Sequence, residues 1–107
     1  MSALPFPHLR QPLRVGGATL RNRIVMMSMH TGLEGASDAA SFERMGRFYG
    51  RRAEGGTALI VTGGFGPNAQ GRLTAEDRLF GGPGDAALHR RITDHAHAAD
   101  GKIVLQL

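Results

Sequence analysis

The sequence predicts an α/β fold built on a parallel sheet, and three observations carry that prediction. Three short apolar runs, Ile24–Met27, Ala58–Val61 and Lys102–Leu105, have the length and composition of strands buried on both faces. Each runs directly into residues that carry hydrogen-bonding groups or no side chain: Ser28-Met29-His30-Thr31, Thr62-Gly63-Gly64 and Gln106-Leu107. Two segments of helical periodicity separate the runs, so strand and helix alternate, which implies right-handed crossovers between parallel neighbours.

In chain order, residues 1–12 contain Pro5, Pro7 and Pro12 and read as an irregular lead-in. Leu13 to Leu20 places apolar residues on either side of Gly16-Gly17, the pattern of a short hairpin. Such a hairpin can plug the lower end of a barrel. Arg23, just ahead of the first strand, can pair with an acid or a carbonyl there or serve as scaffold. After the first strand, Thr31 to Ala36 forms a glycine-containing loop, and Ser37 or Asp38 caps a helix over about Ala39–Glu54. Phe42, Met45, Phe48, Tyr49 and Ala53 form its apolar face, and Gly55-Gly56 ends it.

The second strand, Ala58–Val61, is followed by a long loop from Phe65 to Pro83, a length usually reserved for active-site loops. Asn68, Arg72 and Arg78 within it are candidates to touch a substrate or an anion, with solvated loop positions as the alternative. A second helix over about Asp85–Ala99 buries Leu88, Ile92, His95, Ala96 and Ala99 and stops at Gly101. His89, His95 and His97 share this helix without a carboxylate that completes a ligand set, so surface or helix-packing roles are expected and no metal site. The expected architecture is the first three βα steps of a (β/α)8 barrel, preceded by a short hairpin and truncated after the third strand, where cover for the sheet edge is missing.

Composition narrows the function. Hydrophobic residues make up 41% of the 107, cysteine is absent, and the formal charge is +4 from 13 Lys+Arg against 9 Asp+Glu. Twelve of the thirteen bases are arginine, but they are scattered and do not interleave with aromatics, which argues against a nucleic-acid groove. A disulfide framework and a thiolate metal site are excluded. With neither a signal-peptide pattern nor a membrane-length apolar run, a cytoplasmic setting without membrane partners is expected.

The strand ends form the candidate site. Gly63-Gly64 lets a flat ligand approach the backbone, Gln106 offers an amide donor and acceptor, and His30 can donate to the same ring. Gly63-Gly64-Phe65-Gly66 is neither a dinucleotide fingerprint nor a P-loop. Ser28 and His30 lack the elbow and acid of a hydrolase, and no carboxylates end the strands as a glycosidase requires.

These residues carry a resemblance. Pro12-Leu13-Arg14-Val15-Gly16, Leu20 to Val25, Ser28-Met29-His30-Thr31-Gly32-Leu33-Glu34, Phe48 to Ala53, Ala58 to Gly64 and Gly101 to Leu107 together resemble the old yellow enzyme family of flavin oxidoreductases, above all the branch of bacterial NADPH-dependent 2,4-dienoyl-CoA reductases. The resemblance implies a TIM barrel that holds FMN at the carboxyl ends of its strands, with residues 1–107 the amino-terminal part of the FMN-binding domain. Flavin contacts then fall on Ser28, Met29, His30, Gly64 and Gln106, with strand packing the alternative role for Ser28 and Met29. It implies hydride transfer from NAD(P)H through FMN to an activated alkene, a small-molecule substrate such as an enoyl-CoA. In that branch FAD and a 4Fe-4S cluster lie in further domains. The family's proton donors, phosphate-holding groups and cluster ligands have no counterpart in the matched stretches, so no catalytic residue is assigned to this chain. A non-catalytic remnant of the barrel and an amine dehydrogenase of the same superfamily are the alternatives.

Overall fold

The computed structural model describes residues 4–35 and 38–107. An antiparallel hairpin comes first: β1 (Leu13–Val15) pairs with β2 (Ala18–Leu20), with Leu13 opposite Leu20. Gly16 starts the turn at φ 58°, a conformation that glycine adopts without a Cβ penalty. A parallel sheet follows in the order β3 (Val25–Met26), β4 (Leu59–Gly64), β5 (Lys102–Gln106), crossed by helices α1 (Ala39–Glu54) and α2 (Asp85–Ala98). The hairpin lies at the amino-terminal end of this sheet, where Val15, Ala18 and Leu20 line a hollow with Leu59 and Lys102. That is the lower end the sequence assigns to it. These are the opening steps of a (β/α)8 barrel.

The first strand is shorter than Ile24–Met27. Ile24 contributes to the sheet only its carbonyl, which accepts from Ala58 N–H at 3.1 Å and Leu59 N–H at 3.4 Å. Beyond Met26 the chain leaves β4, and the Ser28 hydroxyl takes over by donating to Thr62 O at 2.7 Å. The second strand is longer than predicted, because Thr62-Gly63-Gly64 continue it through a bulge at Val61–Gly64. Burial is also one-sided. Ile60 and Thr62 are buried against the helices, whereas Val25 and Val104 are 38% and 47% exposed on the other side, the face that points inward in a closed barrel.

The core lies between sheet and helices and gathers Phe42, Met45, Tyr49, Ala53, Ile60, Phe65 and Ile92. Helix α1 is capped by Asp38, whose carboxylate accepts from Ser41 N–H at 3.0 Å. Ser37, the other candidate cap, and Ala36 lie outside the described residues. The predicted faces of both helices hold: Leu88, Ile92, His95, Ala96 and Ala99 are all at least partly buried, and Phe48, half-buried, carries the Arg52 guanidinium 3.6 Å above its ring. Helix α2 ends differently from the prediction. Asp100 takes the left-handed turn at φ 60°, and Gly101 is required instead by proximity, since a Cβ there would stand 2.8 Å from Ala53 Cβ. Arg23 reaches a carbonyl, Pro12 O at 3.4 Å.

Helices α1 and α2 touch closely because α1 presents glycine to its partner. A Cβ on Gly46 would lie 2.6 Å from His95 Cδ2 and 2.7 Å from the Arg91 carbonyl oxygen. The imidazole can swing aside, but the backbone oxygen cannot without moving α2. Gly46→Ala is therefore expected to destabilise the protein by about 2 kcal/mol, overpacking outweighing the roughly 1 kcal/mol gained in helix propensity. Denaturant unfolding checks this, and an unchanged or raised midpoint contradicts the packing described.

Candidate functional site

The carboxyl ends of β3, β4 and β5 open into a cleft of about 340 Å³ lined by Ser28, Met29, His30, Gly64, Gln106 and Leu73, with Phe65 and Gly66. Its volume lies at the low end of the range for small-molecule sites. All five of the residues singled out from the sequence border it.

The bulge in β4 shapes this rim. Gly64 pairs with Gln106, Gln106 N–H donates to Thr62 Oγ1 at 3.1 Å, and Phe65 N–H donates to Gln106 O at 3.0 Å. With its backbone held on both sides, the Gln106 amide makes no hydrogen bond of its own among the described residues and is available to a ligand. A Cβ built on Gly64 meets nothing within 4 Å, so this glycine faces open cleft. Gly63 serves differently. Its N–H turns to the helix side and donates to the Tyr49 hydroxyl at 3.0 Å, while a Cβ there would collide with the Glu34 carboxylate and lie 2.9 Å from Met29 O.

Glu34 and Tyr49 are site-forming residues that the sequence does not single out, Glu34 standing only at the end of the Ser28–Glu34 run and Tyr49 only on the apolar face of α1. Glu34 is 1% exposed. Its Oε1 accepts from Thr31 N–H at 2.7 Å and Thr31 Oγ1 at 2.9 Å, and its Oε2 accepts from Gly32 N–H at 3.0 Å. The carboxylate thus curls the loop after β3 around itself, and His30 Nδ1 stands 3.6 Å from Oε2. Burial, with the Glu34 charge adding in the same direction, pushes the Tyr49 phenol above its ordinary 10, so it remains a neutral partner for Gly63. The signal for Glu34 was its place in the Ser28–Glu34 run. Tyr49 gave none beyond the helical period.

Ser28 and His30 share the cleft but not a hydrogen bond, since the Ser28 hydroxyl donates across the sheet. Among the described residues the cleft holds no nucleophile–base pair. Among the described residues no three His, Cys, Asp or Glu converge as metal ligands, and no helix is long and apolar enough to cross a membrane. His95 pairs with Glu43 at 2.8 Å. His89 packs edge-on against Phe42, Phe65 and Phe80, and its burial holds the imidazole below its ordinary 6.5.

The long loop is folded rather than structureless. Asn68 Oδ1 accepts from Gly71 N–H at 2.8 Å, Asp77 takes Thr74 N–H and Oγ1, and Gly66 bridges Leu79. Gly71 and Leu73 reach the cleft. Arg78 turns away from it, donating to the nearly buried Asp85 Oδ1 at 2.7 Å, whose Oδ2 takes Gly81 and Gly82 N–H at 3.0 and 2.7 Å.

A parallel βαβαβ unit with a glycine-floored cleft at its strand ends is the opening of an α/β barrel with a candidate site on its carboxyl-terminal rim, and comparison with known proteins gives the family. Residues 8–107 match the model of the NADH:flavin oxidoreductase / NADH oxidase family, and the chain belongs to that family, which includes the old yellow enzymes. It is 34% identical over 99 residues to a bilirubin reductase of Mediterraneibacter gnavus and 39% identical over 103 residues to a metal reductase of Desulforamulus reducens; each match covers 92% of this chain. The chain spans 15% and 14% of the length of those two relatives. Among solved structures it is similar to morphinone reductase in complex with tetrahydroNAD, with TM-score 0.78, 25% identity, and coverage of 94% of this chain and 27% of that one. The old yellow enzyme of Trypanosoma cruzi aligns with TM-score 0.78 and 27% identity over 95% of this chain and 27% of its own.

The cleft residues fit the flat ring of the family's FMN. Gly64 leaves space where any Cβ would intrude, and the Gln106 amide matches a ring edge that carries both carbonyl and N–H groups. Among the described residues no Lys or Arg lines the cleft, so these residues suit the heterocycle and not its phosphate.

The Arg78–Asp85 pair yields a pH prediction. The Arg78 guanidinium, then the Gly82 N–H, hold the Asp85 carboxyl below its ordinary 3.8. A depressed carboxyl contributes stability that is complete above 3.8 and lost as pH falls through the folded-state value. Asp85→Asn should therefore cost about 2 kcal/mol at neutral pH, with the difference from wild type constant down to about pH 4 and closing below it. Denaturant unfolding across that range checks the sign; a difference that grows on acidification contradicts it.

Proposed function

We propose that residues 1–107 are the amino-terminal part of the FMN-binding barrel domain of an ene-reductase. The observation that supports this reading most is the convergence of Ser28, Met29, His30, Gly64 and Gln106 on one cleft at the ends of three parallel strands. Bound there, FMN supplies hydride transfer from NAD(P)H to the β-carbon of an activated alkene, for which a 2,4-dienoyl-CoA is the candidate. The chain's own residues orient the ring. Gln106 would hold its pyrimidine edge, Ser28 and the backbone around Met29 would flank it, Gly64 would admit it against the sheet, and His30 would stand near its N5/O4 edge. The two relatives named above are far longer than a barrel of roughly 250 residues, since this chain spans only 15% and 14% of them. That length leaves room for the FAD and 4Fe-4S domains of the dienoyl-CoA branch.

A second reading has one observation behind it. The chain is 26% identical over 106 residues to an N,N-dimethylglycine/sarcosine dehydrogenase of Chromohalobacter salexigens. An amine dehydrogenase would use the same flavin cleft with a different substrate.

The polypeptide at its full native length decides between them. NAD(P)H oxidation dependent on a 2,4-dienoyl-CoA is the expected outcome. Oxidation of N,N-dimethylglycine without alkene reduction would transfer the assignment to the second reading, and a protein that retains no flavin would sink both. Gly64→Leu should leave the fold intact, because its side chain enters open space, yet lower FMN affinity at least about tenfold, roughly 1.4 kcal/mol. Flavin-to-protein absorbance ratios alongside circular dichroism measure both halves of that statement.

A further inference from the structure

Among the described residues His30 is the one titratable side chain that lines the cleft, and its surroundings are asymmetric. Two acids bear on the imidazole. Asp77 does so through its charge, and each of its oxygens accepts one Thr74 donor at 3.0 Å. Glu34 is the other, and it alone approaches a ring nitrogen among the described residues. Its Oε1 accepts two donors, but its Oε2 accepts only Gly32 N–H, and this less occupied oxygen is the one 3.6 Å from His30 Nδ1. The carboxylate cannot turn away, since Thr31, Gly32 and the Gly63 backbone enclose it. Three donors brace the loop, and the remaining acceptor capacity of Oε2 has no donor among the described residues, with His30 Nδ1 3.6 Å away.

We propose that Glu34 is a positioning residue for His30: its buried carboxylate keeps the neutral imidazole protonated at Nδ1 and leaves Nε2 as the unprotonated nitrogen of the ring. The physical reason is local. At 3.6 Å the contact is longer than a hydrogen bond, but a fixed negative charge still favours N–H over a lone pair on the nitrogen that faces it. In a histidine site, the group at one nitrogen decides what the other offers. A ligand at His30 therefore meets an acceptor at Nε2, which becomes a donor only when the ring gains a second proton. The tautomer stands on this chain's geometry; its consequence for the flavin edge rests on the proposed function.

The test uses the full-length polypeptide with ring-15N-labelled histidine, studied by solid-state 15N NMR in mildly alkaline buffer, where His30→Gln identifies the His30 signals. The expected spectrum shows Nδ1 protonated and Nε2 unprotonated, and Glu34→Gln converts this single form into a mixture or into the Nε2–H form. A proton on Nε2 in the wild type overturns the proposal, as does an unchanged Nδ1–H tautomer in folded Glu34→Gln. The wild-type spectrum alone decides if the variant does not fold. Flavin absorbance of the same samples separates the two ideas. Nδ1–H without bound flavin sinks the flavin assignment and leaves the positioning role; bound flavin with an Nε2–H His30 does the reverse.

Discussion

One guanidinium joins the hairpin to both helices. Arg21 follows β2 directly and donates to Ala53 O at 2.5 Å, Thr57 O at 3.0 Å and Ala99 O at 2.9 Å. Ala53 lies in the last turn of α1 and Ala99 is the residue that caps α2, so both oxygens sit at helix ends, where carbonyls lack intrahelical donors and the helix dipole is negative. The planar fork of arginine can serve three acceptors at once, which a lysine ammonium does less well. Asn22 adds a donor to Gly56 O at 2.6 Å and accepts from Ile24 N–H at 2.9 Å. The strands therefore start from a common base: Ala58 N–H reaches Ile24 O, and Lys102 N–H reaches Ala58 O at 2.9 Å. Strands that begin together deliver their carboxyl ends together, and the cleft is the result.

At the opposite end a second constraint does comparable work with negative charge. Burying a carboxylate is expensive unless donors surround it, and Glu34 draws its donors from its own loop. That arrangement brings the loop against β4, where only glycine fits at Gly63. The displaced Gly63 N–H finds Tyr49, and the chain re-emerges with Gly64 and Gln106 facing the cleft. The geometry that suits the cleft to a flat ring is thus set from the side away from the ligand.

Much of this was legible in the residues. The hairpin, both helix spans and their buried faces, the strand order and the shared rim follow from periodicity and turn chemistry, because each is a local signal. The misreadings share a cause. Ile24–Met27 looks like a full strand, but its pairing ends where Ser28 replaces a backbone link with a hydroxyl. Thr62-Gly63-Gly64 looks like a strand end, but the distant Tyr49 hydroxyl accepts from Gly63 N–H and the Thr62 hydroxyl accepts from the distant Gln106 N–H, which satisfies the bulge and extends the strand. Arg78 looks like a free loop cation until Asp85 is seen beside it. None of these partners is adjacent in sequence.

By itself, then, the sequence determined the alternation of elements, the residues that face the helices, and the family motif that carries the candidate site. Local sterics and the 2.0 and 3.6 periods suffice for that. Tertiary structure decided the rest: that Arg21 closes the base, that Gly46, Gly63 and Gly101 are small because a helix, a carboxylate and a methyl group press on them, and that His30 faces Glu34 rather than Ser28. Those outcomes depend on distances between segments far apart in the chain or on how a loop curls, which residue type and spacing do not encode.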